Sequence, residues 1–275
     1  MNTFRTRLAA AAIGVGLAVA APAAAWAGPR RPVSSTPTTA SSAPTAPTDP
    51  SNPSNPIHPT DPSNPIKPGT RDLETLRAKC LAAIDVRLPA LAAARADAVG
   101  SQHLTDDHEA ALTTNIDETT ARLRTLGDEI KAAADVVTLR DHCRSIFEDN
   151  RVFALVLPRA RLVVGADTAT DAGATLHDVA GKLADAIAQE EAAGRDTRQA
   201  KADLDAMKAQ IASAMAAAGT VPGAVLGLTP ADWNANHDVL QPARQALRVA
   251  RTDLKVARDL AVKIRHELVT PAHPL

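Results

Sequence analysis

The chain has 275 residues, 45% of them hydrophobic and 22% charged, with a formal net charge of −1. Only 2% are aromatic and there is no Tyr, so Ala, Leu, Val and Ile have to form the core; this argues against a β-sandwich or a carved ligand pocket and fits slim helices packed closely. The near-zero charge removes any whole-chain case for nucleic acid as a partner.

Residues 1–27 read as a secretory signal. Arg5 and Arg7 make a basic start, Leu8 to Ala20 is an uncharged run too short to span comfortably, and Ala25-Trp26-Ala27 gives a small-x-small cleavage pattern before Gly28. No Cys follows the run and Arg5-Thr6-Arg7 is not a twin-arginine signal. The expected destination is the cell exterior, secreted or cell-wall associated, with no transmembrane anchor after signal cleavage.

Residues 28–69 are a Pro/Ser/Thr-rich linker. Twelve of the 20 prolines lie here, and nine, from Pro44 to Pro68, recur every third residue. Polyproline II also repeats every three residues, so the 25 residues from Pro44 to Pro68 predict a stalk of roughly 78 Å at about 3.1 Å per residue. Thr48-Asp49-Pro50-Ser51-Asn52-Pro53 recurs at Thr60–Pro65, which suggests growth by duplication. The stalk reads first as a disordered spacer; docking into an aromatic groove and O-glycosylation are the other readings.

From residue 70 to 268 the pattern is helical. A first helix is predicted over 71–99, with Leu73, Leu76, Cys80, Ile84, Leu88 and Leu91 on one face and a kink at Pro89. Thr105 predicts the N-cap of a second, 106–134, whose seam Leu112, Ile116, Thr119, Leu123, Leu126, Ile130, Ala133 and Val137 alternates spacings of four and three. Thr138 and Asp141 suggest a capping box for a third helix. The run Arg151–Leu157 suits a buried strand or a buried helical turn; the surroundings favour helix, kinked at Pro158. A helical hairpin of nearly equal arms, 171–193 and 197–218, follows around Gly194, with Asp196 as the second N-cap. After a loop at 219–227, Thr229-Pro230-Ala231-Asp232 makes a capping box before the last helix. Its seam is Leu240, Ala243, Leu247, Ala250, Leu254, Ala257, Ala261, Ile264 and Leu268. Residues 269–275 form a disordered tail without a sorting motif. The fold class is therefore all-α, an elongated antiparallel bundle with coiled-coil character behind the signal and stalk.

Cys80 and Cys143 fall at the same end of that bundle if the second helix returns antiparallel. Export makes a disulfide between them the expected state, closing a loop of about 63 residues.

Chemistry is sparse. There is no phosphate-binding loop, dinucleotide fingerprint, Cys-x-x-Cys pair or nucleophile elbow. His103, Asp106, Asp107 and His108 have ligand-like composition, but acids at a helix start complement its dipole, and a surface cap is the favoured reading. No catalytic residue, metal or cofactor is expected. The strongest feature is a basic stripe beside the last seam: Arg244, Arg251, Arg258 and Arg265 recur every seven residues, and Arg248 and Lys255 widen it. Asp238 to Leu268 holds seven basic and four acidic residues, net +3. These cations either pair with acids on adjacent helices or bind a polyanion.

The Cys-bearing first helix, the run Leu139-Arg140-Asp141-His142-Cys143-Arg144-Ser145-Ile146, the stretch Arg151 to Val164 and the turn Leu228-Thr229-Pro230-Ala231-Asp232-Trp233 resemble secreted Ala-rich helical proteins of high-GC Gram-positive bacteria, a group without a known activity. The resemblance covers most of Thr70 to Leu268 and implies location and fold only. The expected function is a non-enzymatic, secreted or envelope-associated interaction protein. The alternative is an amphipathic-helix binder of anionic wall polymer or lipid through the last helix. A further envelope protein is the remaining kind of partner.

Overall fold

The structure is a computed structural model that describes residues 68–269, apart from the side chains of residues 68–71. The expected signal, the expected linker before Pro68 and the expected tail from Thr270 lie outside the described residues. Within them the regular structure is helical: α1 (Pro68–Val99), α2 (Asp106–Ala132), α3 (Val136–Glu148), a π-helical turn (Val152–Val156), α4 (Leu157–Ala192), α5 (Arg198–Val225), α6 (Pro230–Ala235) and α7 (Gln241–Val269). Helix α1 thus takes in the last two residues of the expected linker and runs on through Pro89.

The first three helices form one layer. Arg77, near the start of α1, donates to the carbonyls of Ile130 (3.1 Å) and Ala133 (2.6 Å) at the end of α2. Arg95, near the other end, meets Asp117 at 2.8 Å. The pair is therefore antiparallel, and Arg77 satisfies carbonyls that the end of α2 leaves without an intrahelical donor. Helix α3 runs parallel to α1, and Cys80 and Cys143 are joined with their Cα atoms 5.5 Å apart. The α2 seam is buried from Leu112 to Ala133. Thr119 fits there because its hydroxyl donates to the Asn115 carbonyl at 2.8 Å. Val137 departs from the seam and is 69% exposed, because α2 stops at Ala132 and Val137 lies in the first turn of α3. The cap of α3 is Asp135, not Thr138: its carboxylate accepts from the N–H groups of Val137 and Thr138, both at 2.9 Å. These bonds hold the Asp135 carboxyl below its ordinary pKa.

The run after Arg151 is helical, as favoured, but as a π turn: the N–H of Leu157 donates to the carbonyl of Val152, five residues back. Pro158 follows immediately. A proline has no N–H, and its ring collides with the carbonyl four residues before it, so widening the preceding turn relieves the clash without breaking the helix. Arg151, at φ 38°, sets the chain direction into that turn. Its Nε donates to Asn234 Oδ1 at 2.6 Å, and Asn234 Nδ2 donates to the Glu148 carbonyl at 3.1 Å.

Helices α4, α5 and α7 form the second layer in an up-down-up order. Gly165 faces Leu247 and Arg251 while Gly173 faces Leu254, so α4 and α7 rise together. Helix α5 descends against both: Ser213 donates to Asp253 at 2.7 Å, and Lys263 meets Asp203 at 2.6 Å. The hairpin arms are unequal, 36 and 28 residues. Helix α4 continues across Gly165, and α5 runs through Pro222 because Val221, Pro222 and Val225 are buried, which offsets the missing bond at proline. Gly194 takes φ +81° at the turn. Asp196 does not cap α5 as expected; Thr197 is its N-cap residue. Asp196 instead accepts from the N–H and guanidinium of Arg198, which hold its pKa down at about 2. The capping box at Thr229 and Asp232 forms, but it starts the separate helix α6 rather than α7.

Three apolar groups fill the interior, and α4 contributes to each: Leu157 with α1–α3; Leu162, Val163 and Ala166 with the end of α5 and the start of α7; Leu176, Leu183 and Ile187 with Met207, Ile211 and Ile264. The α7 seam is buried at Leu240, Ala243, Leu247, Ala250, Ala257, Ala261 and Ile264, while Leu254 and Leu268 are partly covered.

Two glycines of α4 make opposite predictions. A Cβ at Gly165 would stand 2.9 Å from Leu247 Cδ2 and 3.1 Å from Arg251 Nη2, whereas one at Gly181 meets nothing within 4 Å. Gly181→Ala should stabilise by about 0.5–1 kcal/mol through helix propensity. Gly165→Ala should destabilise by about 1 kcal/mol, overpacking outweighing that gain. Thermal melts of the two variants read the opposite signs.

The Asp203–Lys263 pair joins α5 to α7 and carries a pH prediction. The side-chain hydrogen bond lowers the Asp203 pKa and raises that of Lys263. The carboxylate contribution is present above the unfolded value of about 3.9 and is lost as pH falls through the lowered folded value. The Lys263 contribution is present below the unfolded value of about 10.4 and is lost as pH rises through the raised folded value, so Asp203→Asn should flatten both the acid and the alkaline limb of a stability-against-pH curve.

Candidate functional site

The basic stripe of α7 is Arg244, Arg248, Arg251, Lys255, Arg258 and Arg265; Lys263, on the other flank, pairs with Asp203 of α5. The buried α7 seam faces α4 and α5, and spacings of four and three place these cations on the flank next to it. All are exposed except Arg244, which is half-buried. Lys255 and Arg258 share Asp259 on their own helix, at 3.7 and 4.0 Å. Arg248 donates to Gln245 at 2.6 and 3.0 Å. Among the described residues, Arg244, Arg251 and Arg265 meet no carboxylate within ion-pair distance. The expectation that acids on adjacent helices neutralise the stripe is thus not met for any of the six, since the one acid that reaches it belongs to α7 itself.

The α4 edge beside the stripe explains this. Gly165 lets the Arg251 guanidinium lie close over α4. The same helical register puts Arg161, Thr168, Thr175 and Lys182 along that edge, and the acids Asp171, Asp178 and Asp185 one row farther around. Asp171 is engaged elsewhere, at 2.9 Å from His103 Nδ1.

The His103, Asp106, Asp107 and His108 cluster is divided by the fold. His108 Nδ1 lies 2.8 Å from buried Asp167, which also accepts from the Thr105 N–H at 3.2 Å. The two imidazoles therefore tie the entry of α2 to α4 through separate carboxylates. Among the described residues no group of three or more His, Cys, Asp or Glu side chains could hold a metal ion. Thr105 caps α2 as expected, accepting from the His108 N–H at 3.3 Å.

Arg159 carries a role that helical periodicity could not reveal. It is 2% exposed, and its guanidinium donates to the Leu228 carbonyl at 2.7 Å and to Asn115 Oδ1. Its counter-charge is the carbonyl end of α5 rather than a carboxylate. Burial, with Arg122 adding repulsion, pushes its pKa down to about 10, so it stays charged at neutral pH. Arg87 is the other such case: its guanidinium carbon lies 4.5 Å from the Phe147 ring and 5.3 Å from the Phe153 ring. This cation–π clasp leaves both rings about half exposed.

A cavity of about 300 Å³ opens at the hairpin end, between Glu190, Arg195, Thr197 and Glu267. Arg195 there bonds Glu190 at 2.9 Å and the carbonyls of Leu268 and Glu267 at 2.8 and 3.2 Å. Its donors thereby close the end of α7. Among the described residues, no helix is long and apolar enough to cross a membrane.

Comparison with known protein families, with curated proteins and with solved structures gives no match.

Proposed function

We propose that this chain is an exported, non-catalytic interaction protein of the cell envelope, in which a stalk carries a helical bundle that binds polyanions through the α7 stripe. The observation that carries the reading is the row of arginines without carboxylate partners. A folded domain that places Arg244, Arg251 and Arg265 on one flank and leaves them unneutralised presents a field that attracts anions. The signal and the Pro-rich repeat supply the reading of location, and the crosslinked Cys80–Cys143 pair suits an oxidising compartment.

The manner of binding differs from that of a helix that inserts into lipid. An inserting helix needs its apolar face free, and the α7 seam is the interior of the bundle. Binding through charge alone is sensitive to salt. Sedimentation with isolated envelopes of the producing organism should retain the native chain at low salt and release it as salt is raised. The triple variant Arg244→Gln, Arg251→Gln, Arg265→Gln should stay in the supernatant. Equal retention of the two proteins would refute the reading.

A further inference from the structure

We propose that the α7 stripe is built for a linear, repeating phosphate polymer lying along the helix, and not for a membrane surface; this rests on the polyanion reading above. The first support is the spacing. Arg244, Arg248, Arg251, Lys255 and Arg258 follow each other by four, three, four and three residues. At about 1.5 Å per residue, that is a cation roughly every 4.5–6 Å over roughly 21 Å, and Arg265 extends the row to roughly 32 Å. An extended chain carrying a charge on every repeat can meet these cations in succession. A bilayer presents separate, laterally mobile headgroups and gains nothing from collinearity.

The second support is the wall beside the row. The α4 edge facing Arg251 is Gly165, with Thr168 and Thr175 at the following turns. Beside Gly165 the Arg251 guanidinium lies close over α4 and Arg251 remains exposed, a seat along the helix that suits a strand better than a flat sheet. The hydroxyls of Thr168 and Thr175 donate to the carbonyls of Val164 and Asp171 on their own helix, so the phosphate-binding donors are those of the arginines. The third support is residue choice: five of the six cations are arginine, whose planar fork matches two oxygens of one phosphate. The fourth is the absence of an inserting face, since the apolar side of α7 is occupied by α4 and α5.

A row of cations engaged by one chain binds by multivalency: the first contact raises the local concentration of the next phosphate, so affinity climbs with chain length until the row is filled. The test uses the full chain and two soluble probes, tripolyphosphate and long-chain polyphosphate, compared at equal phosphate concentration by calorimetry or polarisation. Vesicles of phosphatidylglycerol serve as competitor. Long-chain polyphosphate should bind at least about 100-fold more tightly than tripolyphosphate, and the vesicles should not displace it. Arg251→Gln, in the middle of the row, should lower the long-chain affinity far more than the tripolyphosphate affinity. Equal affinity per phosphate for both probes, or displacement by vesicles, would overturn the linear-polymer inference while leaving a polyanion surface in place. No binding to any of the three would overturn the polyanion reading itself.

Discussion

Replacing Cys80 and Cys143 together by Ala should lower the unfolding free energy by about 4 kcal/mol, the largest single effect expected in this chain. The crosslink closes 63 residues, and in the chain-entropy description a loop of that length removes about 4 kcal/mol of freedom from the unfolded state. The loop encloses most of α1, all of α2 and half of α3. Both half-cystines are themselves buried, in the apolar group of Ile84, Leu123, Ile130 and Leu139. Urea titration followed by circular dichroism should show a lower midpoint for the double variant, and the oxidised native chain should fall to the same midpoint after reduction. A midpoint unmoved by reduction would mean that the bond contributes nothing to this layer.

Arg159→Ala should cost about 3 kcal/mol, and for a different reason. Removing the guanidinium leaves the Leu228 carbonyl and Asn115 Oδ1 without their donor at a site that is 2% exposed. Bonds to a charged group contribute about 1.5–3 kcal/mol each, and the vacated volume adds a cavity. Relief of the desolvated charge offsets part of this loss, so the sum of the bonds is not the answer. Arg159→Met separates the terms, because it keeps most of the volume and loses only the donors. It should be destabilised, by less than the Ala variant. A Met variant as stable as the native chain would show that the buried charge costs as much as its bonds return. Asn115 should be coupled to Arg159 in a double-mutant cycle, since the two side chains share a buried hydrogen bond that either substitution removes.

Much of the architecture was legible in the sequence because apolar spacing reports burial directly. The α2 seam from Leu112 to Ala133 and, apart from the partly covered Leu254, the α7 seam from Leu240 to Ile264 are buried as periodicity requires. The cap at Thr105, the capping box at Thr229 and the turn at Gly194 follow from local chemistry that needs no knowledge of tertiary contacts. Helix ends were less legible. Asp135 and Thr138 are both good N-cap residues, and which one serves depends on where α2 stops. Pro222 reads as a helix breaker until its burial is known. At Pro158 the reverse holds: the apolar run and the proline were visible, but the widened turn that reconciles them is a property of backbone geometry.

The candidate site was legible in its residues and not in its state. A heptad row of arginines can be neutralised by a facing acidic row or left open, and sequence supplies the row without its neighbours. The rise of α4 alongside α7 decides the matter, bringing Gly165 rather than an acid against Arg251. Arg159 was illegible for the opposite reason. On α4 it reads as one more surface cation, and only the carbonyls arriving from the end of α5 make its burial tolerable.

The central claim, that the unneutralised row on α7 is the binding surface of a folded bundle, is tested most directly by the salt dependence of binding to long-chain polyphosphate. Each cation that engages a phosphate displaces counterions, so log affinity falls linearly with log salt, and each engaged cation removed makes the slope shallower by about 1. For the Arg244→Gln, Arg251→Gln, Arg265→Gln variant, folded as judged by an unchanged urea midpoint, the slope should be shallower than the native slope by about 3. Identical slopes for the native chain and the variant would contradict the account.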